Sequence, residues 1–254
     1  PTDPSGYTVC GRSYISNSTD HALTVTELSE PFDARLADGE PQILILHTHG
    51  SEAYTPDGTD IYEPSDNNTR TLDENYNVVR VGDEMERVFT ELGLTVVHDR
   101  TLYDYPKYNG AYDRSAEAVQ RYLEQYPSIK IVLDVHRDAL VGSDGSIYKL
   151  VTQENGKKTA QVMLVVGTDG GGAQHPYWID NLALAVRFQQ ELVSDYVSLA
   201  RPIVLRNSSY NQQLSPGYLL VEVGGHGNTL TEAVDGARLF AQSVSQVLNT
   251  MWVK

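Results

Sequence analysis

The sequence predicts an α/β fold, a mostly parallel twisted sheet with helices on both faces, and three observations carry that expectation. From Pro41 onward short apolar runs alternate with segments of helical periodicity, the pattern of strands joined by crossover helices. The helical segments carry their own start and stop signals. At 254 residues and 40% hydrophobic composition, the chain has enough apolar material for one large core.

Residues 1 to 38 are rich in Ser, Thr, Asp, Asn and Gly and read as a polar N-terminal extension, irregular and without chemistry of its own. Residues 39–254 read as one domain, with no internal repeat and no linker. "ILIL" (43–46) is its first strand. Val78, Val81, Met85, Val88, Phe89 and Leu92 then fall at helical spacing, and Gly93 stops them. "LTVV" (94–97) is the next strand. Ser115 is the expected cap of a second helix, with Val119, Tyr122, Leu123 and Tyr126 as its apolar stripe and Pro127 as its end. "IKIVLDV" (129–135) reads as a strand, "GSDGS" (142–146) as a turn before Ile147, and "VMLVV" (162–166) as a further strand. Leu182, Ala185, Val186, Val193 and Tyr196 mark a third helix, followed by strands "PIVL" (202–205) and "YLLVEV" (218–223). The last helix opens at "TLTE", where Thr229 and Glu232 have capping-box spacing.

Composition removes several function classes. Lys and Arg number 19 against 34 Asp and Glu, a formal charge of -15, so nucleic acid would be repelled. No run approaches the roughly 18 apolar residues of a membrane span, and no signal peptide opens the chain. Its start, "PTDPSGY", reads as a cut ectodomain. Cys10, the single cysteine, has no internal disulfide partner. Three motifs are decoys. "HRDA" (136–139) lacks the asparagine and glycine-rich loop of a kinase. "GTDGGGA" (167–173) lacks the Lys-Ser/Thr of a phosphate loop and reads as a loop near the site. "NST" (17–19), "NNT" (67–69) and "NSS" (207–209) match a glycosylation pattern that polar loops meet by chance.

Ligand sites in open α/β sheets lie beyond the carboxyl ends of strands, and the polar residues there form a short list. His47, His49 and Glu52 follow "ILIL"; Asp134, His136, Arg137 and Asp138 end "IVLDV"; Glu222 interrupts "LLVEV", and His226 follows it. His49 and Glu52 have the H-x-x-E spacing that lets an imidazole and a carboxylate reach one cation. His136 would supply a third ligand, leaving the fourth zinc position open as catalytic sites require. Asp73 is the alternative carboxylate ligand. His47, two residues before His49 and expected on the same side, is a second-shell or core histidine. Glu222, between Val221 and Val223 in an apolar strand, carries a desolvation cost unless it is paired or bound to something. Arg137, Asp138 and His226 are candidates for substrate contact or second-shell support.

"HTHGSEAY", "NYNVVRVG", "YPKYNGAYDRS", "DVHRDA" and "VEVGGHGNT", in that order, resemble the stage II sporulation protein P family, peptidoglycan hydrolases of endospore formers. The resemblance covers about residues 41 to 250 and implies the sandwich fold of zinc amidases and zinc carboxypeptidases. It implies Zn2+-dependent cleavage of the amide between N-acetylmuramic acid and L-alanine, with peptide cleavage as well. By position it matches His49 and His136 to the zinc histidines and Glu222 to the catalytic glutamate. The carboxylate ligand matches less directly, since the family's asparagine, here Asn77, points back to Asp73, whereas spacing favours Glu52. It also implies an N-terminal membrane anchor absent from this chain, an extracytoplasmic location during engulfment, and a glycan-cleaving partner such as stage II sporulation protein D. A zinc carboxypeptidase-type peptidase and a non-catalytic peptidoglycan-binding module are the alternatives.

Overall fold

The computed structural model describes residues 3–29, 34–58 and 69–252. The strands are β1 (Thr8–Cys10), β2 (Ser13–Asn17), β3 (Ile43–Leu46), β4 (Val96–His98), β5 (Ile131–Asp138), β6 (Val151–Glu154), β7 (Lys157–Ala160), β8 (Val162–Gly167), β9 (Ile203–Arg206) and β10 (Tyr218–Gly225). The helices are α1 (Val25–Ser29), α2 (Val78–Glu91), α3 (Ala111–Gln125), α4 (Trp178–Asp195) and α5 (Leu230–Asn249). Eight strands build one sheet in the order β1-β2-β9-β8-β10-β5-β3-β4. Within it β4, β3, β5 and β10 run parallel, and so do β8, β9 and β2. The two groups meet antiparallel where β8 pairs with β10.

Helices cover both faces, as the alternation of apolar runs and helical stripes predicts. On one face α2, α4 and α5 bury Phe89, Phe188 and Phe240 against Ile45, Leu133, Val166 and Val221. Each such side chain contributes about 2–3 kcal/mol through the apolar area it withdraws from water. On the other face α3 lays Ala111, Ala118 and Val119 on Leu44, Leu46, Val132 and Tyr218. That helix stops short of β8 and β9, and Met163 and Val165 of β8 form a separate small cluster with Leu220 of β10. The sheet is therefore open above the half of the face next to the strand-end residues.

Three features differ from the sequence reading. The polar leader is not irregular throughout: β2 pairs with β9, and Ile15 enters the core. Ser115 is not a cap but a buried residue inside α3, which begins at Ala111 after Gly110 in the left-handed region (φ 81°). The hairpin β6–β7 turns at Asn155-Gly156, both at positive φ, a signal that the apolar-run criterion passed over. The α5 capping box forms as expected, Glu232 N–H donating to Thr229 Oγ1 (3.2 Å) and Thr229 N–H to Glu232 Oε2 (3.1 Å). "GSDGS" closes a turn, with Gly142 N–H bonded to Ser146 O. The "NNT" pattern starts at Asn67, outside the described residues.

Candidate metal centre

Strand alternation decides which polar residues meet. In β5, Asp134, His136 and Asp138 fall on the α3 face, while Val135 and Arg137 face α2 and α5. In β10, Leu220 and Glu222 share the α3 face, and Glu222 stands in register beside His136. After Leu46 the chain leaves the strand and turns, which swings His49 over the same face.

His49, Glu52 and His136 converge there, their ligand-type atoms all within 4.8 Å of one another. His49 Nδ1 lies 3.8 Å from Glu52 Oε1, and His136 Nδ1 lies 3.4 Å from Glu52 Oε2. Glu52 is held from behind by the Arg137 backbone N–H (3.2 Å). The His49 ring stacks on Tyr108 (centroids 4.6 Å apart), Tyr112 meets its edge, and Arg70 lies over Tyr108 at 4.9 Å.

Behind His136 stands Asp134, fully buried, with Oδ1 2.9 Å from His136 Nε2. It accepts the Thr48 backbone N–H (2.8 Å) and hydroxyl (2.6 Å), and the Tyr218 hydroxyl at 3.4 Å. A carboxylate on the far nitrogen of a histidine is the arrangement that orients metal-ligating imidazoles. Burial opposes charge on these groups, but the partners outweigh it. Asp134 and Glu52 hold His136 protonated well above the ordinary imidazole range, and His136 in turn holds both carboxyls below theirs.

Glu222 is half-buried on the cavity floor, and its Oε2 has no hydrogen-bond partner. Burial, reinforced by Glu52 and Asp138 and opposed by His136, pushes its carboxyl up to about 8. A bulge after Glu222 shifts the pairing with β5 before it resumes at Gly225, and Gly224 takes a left-handed φ of 62° there. Asn228 Oδ1 then accepts the Gly225 N–H (2.9 Å), fixing the "GGHGN" turn.

The remaining expected site residues lie elsewhere. His47 continues the alternation of β3 and faces α2, so it does not share a side with His49. Its Nδ1 donates to Val135 O (2.9 Å) and its Nε2 meets His98 Nε2 (2.9 Å), a packing that Gly82 permits because a Cβ there would come within 2.6 Å of His47. Burial, with His98 adding to it, drives His47 down to about 3. Arg137 is spent on backbone carbonyls, Ala53 O and Thr69 O at 2.8 Å each, and so pins the segment carrying Glu52. His226 is buried on that side, its backbone N–H on Asp138 O. Asp138 does line the cavity, held by Arg201 at 2.7 Å. Asp73 is exposed, occupied with Asn75, and outside the cluster. Asn77 caps α2 rather than engaging Asp73, its side chain accepting the Val79 N–H. Tyr108 and Tyr112 are site residues that the sequence reading does not name, and Asp134, on the short list of strand-end residues, has no role assigned to it there. Asp134 had a legible signal, its spacing of two from His136 in a strand, whereas the tyrosines come from a loop and a helix whose approach no local pattern shows.

A cavity of about 520 Å³ opens from this cluster across the uncovered part of the sheet, lined further on by Met163, Val165, Val204 and Arg206. The "GTDGGGA" loop lies at its distant rim, Gly171 N–H bonding Asn207 O.

Comparison with known proteins follows this geometry. An N-acetylmuramoyl-L-alanine amidase from Clostridium difficile 630 is similar at 13% identity, covering 84% of this chain and 99% of that chain with a TM-score of 0.49. AmiC2 of Nostoc punctiforme, also an N-acetylmuramoyl-L-alanine amidase, is similar at 12% identity, with the same coverage and a TM-score of 0.48. The Clostridioides difficile CwlD amidase, solved in complex with the GerS lipoprotein, is 13% identical over 82% of this chain and 99% of that chain, with a TM-score of 0.48. Stage II sporulation protein P of Bacillus subtilis (strain 168) is 24% identical over 216 residues, 81% of this chain and 50% of that protein. The chain thus spans about half the length of the curated relative it matches. The family model described as Stage II sporulation protein P (SpoIIP) matches residues 12–245. Since that match runs from the edge of β2 into α5 and takes in His49, Glu52, His136 and Glu222, the chain belongs to the stage II sporulation protein P family.

Proposed function

We propose that this domain is a zinc-dependent peptidoglycan hydrolase of sporulation that cleaves the amide between N-acetylmuramic acid and L-alanine. The observation carrying the reading is the cluster of His49, Glu52 and His136 beside Glu222, whose inner oxygen has no partner. The donor set fits zinc: two imidazoles and one carboxylate, a carboxylate behind one imidazole, and an open side toward the cavity. Bound there, zinc supplies Lewis acidity, polarising the scissile carbonyl and acidifying water. Glu222 takes the proton of the attacking water and delivers it to the leaving nitrogen. Tyr108 and Arg70 hold His49 in place, and Asp134 does the same for His136. By family membership the full-length protein is expected to work outside the cytoplasmic membrane beside a glycan-cleaving partner. Among the described residues no helix is long and apolar enough to cross a membrane.

Two measurements check this. Purified cross-linked peptidoglycan incubated with the protein should release stem peptides bearing new L-alanine amino termini. Amines arising only within the stem peptide would replace the reading by the carboxypeptidase-like one, which the same donor set supports. Metal analysis should find one zinc per chain in the wild type and in Asp73→Ala, and a severalfold or greater loss in Glu52→Gln; the reverse pattern would make Asp73 the ligand.

A further inference from the structure

At the end of the cavity away from the donor cluster stands a single cation. Across the open face the cavity floor is apolar, made by Leu220, Met163, Val165 and Val204. Arg206 follows Val204 by two residues on β9 and so faces the same side, while Ile203 and Leu205 point into the core. Among the described residues no carboxylate pairs with Arg206, and no other Lys or Arg lines the cavity. The acidic groups lining it, Glu52, Asp138 and Glu222, belong to the other end.

Register gives the separation. Glu222 lies opposite Met163, and Gly167, four residues along β8, lies opposite Arg206 on the next strand. Two strand spacings across and four residues along place the two backbones roughly 16 Å apart. An extended chain advances about 3.3–3.6 Å per residue, so roughly three to five residues span the floor, less the reach of the arginine itself.

We propose that Arg206 is a specificity residue which binds a free carboxylate on the peptide portion of the substrate, several residues beyond the scissile amide. This rests on the amidase reading and deepens it by naming the chemistry of the peptide. In a protein of net charge -15, Arg206 is the one Lys or Arg lining this cavity among the described residues, and it stands at the far end of the floor from Glu52, Asp138 and Glu222, so a carboxylate several residues beyond the scissile amide meets a cation there. The charge pattern therefore orients the peptide as well as holding it: its carboxylate goes to Arg206, its aliphatic side chains lie on the floor, and its amino-terminal amide reaches Glu222. A guanidinium suits this role through its planar, two-pronged contact with a carboxylate.

The test uses two synthetic substrates, an N-lactyl-L-alanyl tetrapeptide with a free C-terminal carboxylate and the same peptide as its C-terminal amide. Wild-type protein should favour the acid by about tenfold in kcat/KM, mainly through KM. In R206Q that ratio should fall to about one, and R206K should restore part of it. A preference that R206Q leaves intact, or an equal fall on both peptides, overturns the proposal. Calorimetric titration with the same peptides reads the subsite without turnover. A protein that cuts neither peptide but binds the acid preferentially through Arg206 removes the amidase reading and leaves the subsite standing. Equal binding of both overturns the subsite.

Discussion

Glu222→Gln is expected to lower turnover on peptidoglycan by at least about 100-fold, the scale on which general acid-base groups act. The substitution keeps the shape of a half-buried side chain whose Oε2 meets no donor, so folding and zinc content should stay as in the wild type. Activity of the wild type should rise with pH through the Glu222 pKa. Without a cation that carboxyl titrates at about 8, and zinc beside it would draw the value lower. The variant should lose this acidic limb. Near wild-type turnover would move the base elsewhere, Asp138 being the next carboxylate on the cavity wall.

The same residue has a consequence for stability. A carboxyl raised from 4.5 to about 8 on folding stabilises the folded state while both states are protonated. That contribution is present below pH 4.5 and is lost as pH rises through about 8. Metal-free Glu222→Gln lacks this loss. Its melting temperature should match the wild type near pH 4 and exceed it above pH 8 by roughly 2–4 °C or more, corresponding to about 1 kcal/mol or more. Equal melting temperatures across the range would show that Glu222 is well solvated.

Asp134→Ala should produce the largest loss of stability among the site residues. Asp134 is fully buried and joins Thr48 of the β3 turn, His136 of its own strand and Tyr218 of β10. Removing the carboxylate leaves the Thr48 N–H and hydroxyl without their acceptor and His136 without its counter-charge. Breaking such a buried network costs about 3–5 kcal/mol. For a chain of this size that lowers the melting temperature by roughly 6–15 °C. Zinc affinity should fall about 10- to 100-fold through loss of imidazole orientation. Asp134→Asn, which keeps hydrogen-bonding atoms but not the charge, should fall between. A change of under about 2 °C in Asp134→Ala would mean that the network is not coupled to the fold.

Some of the site could be read locally. The strands β3, β5, β8 and β10 appear as apolar runs because residues buried in a sheet covered by helices need little polarity. Edge strands lack that pressure. β1 and β2 have side chains at the surface, and only Ile15 and Cys10 mark them as part of the core. Ser115 shows a similar limit. A serine at the start of an apolar stripe looks like a cap, yet here it lies 2.8 Å from the Thr48 hydroxyl and takes a hydrogen bond from Asn211. Those partners are 67 and 96 residues away in sequence.

The sequence by itself determined the residue types that make chemistry affordable here: an imidazole and a carboxylate three apart after a strand, a histidine ending another, and a glutamate where an apolar side chain belongs. Only the tertiary structure decided which of them face one another. His47 and His49 separate because the strand ends at Leu46 and the turn reverses the alternation. Arg137 leaves the site and His136 stays because adjacent side chains of one strand point to opposite faces, and which face holds the cavity depends on where α3 stops. Arg206 joins the site through two strand pairings, β10 with β8 and β8 with β9, that no local spacing encodes. Local pattern reports what each segment must bury; contacts between strands distant in sequence depend on register and on the order of strands in the sheet.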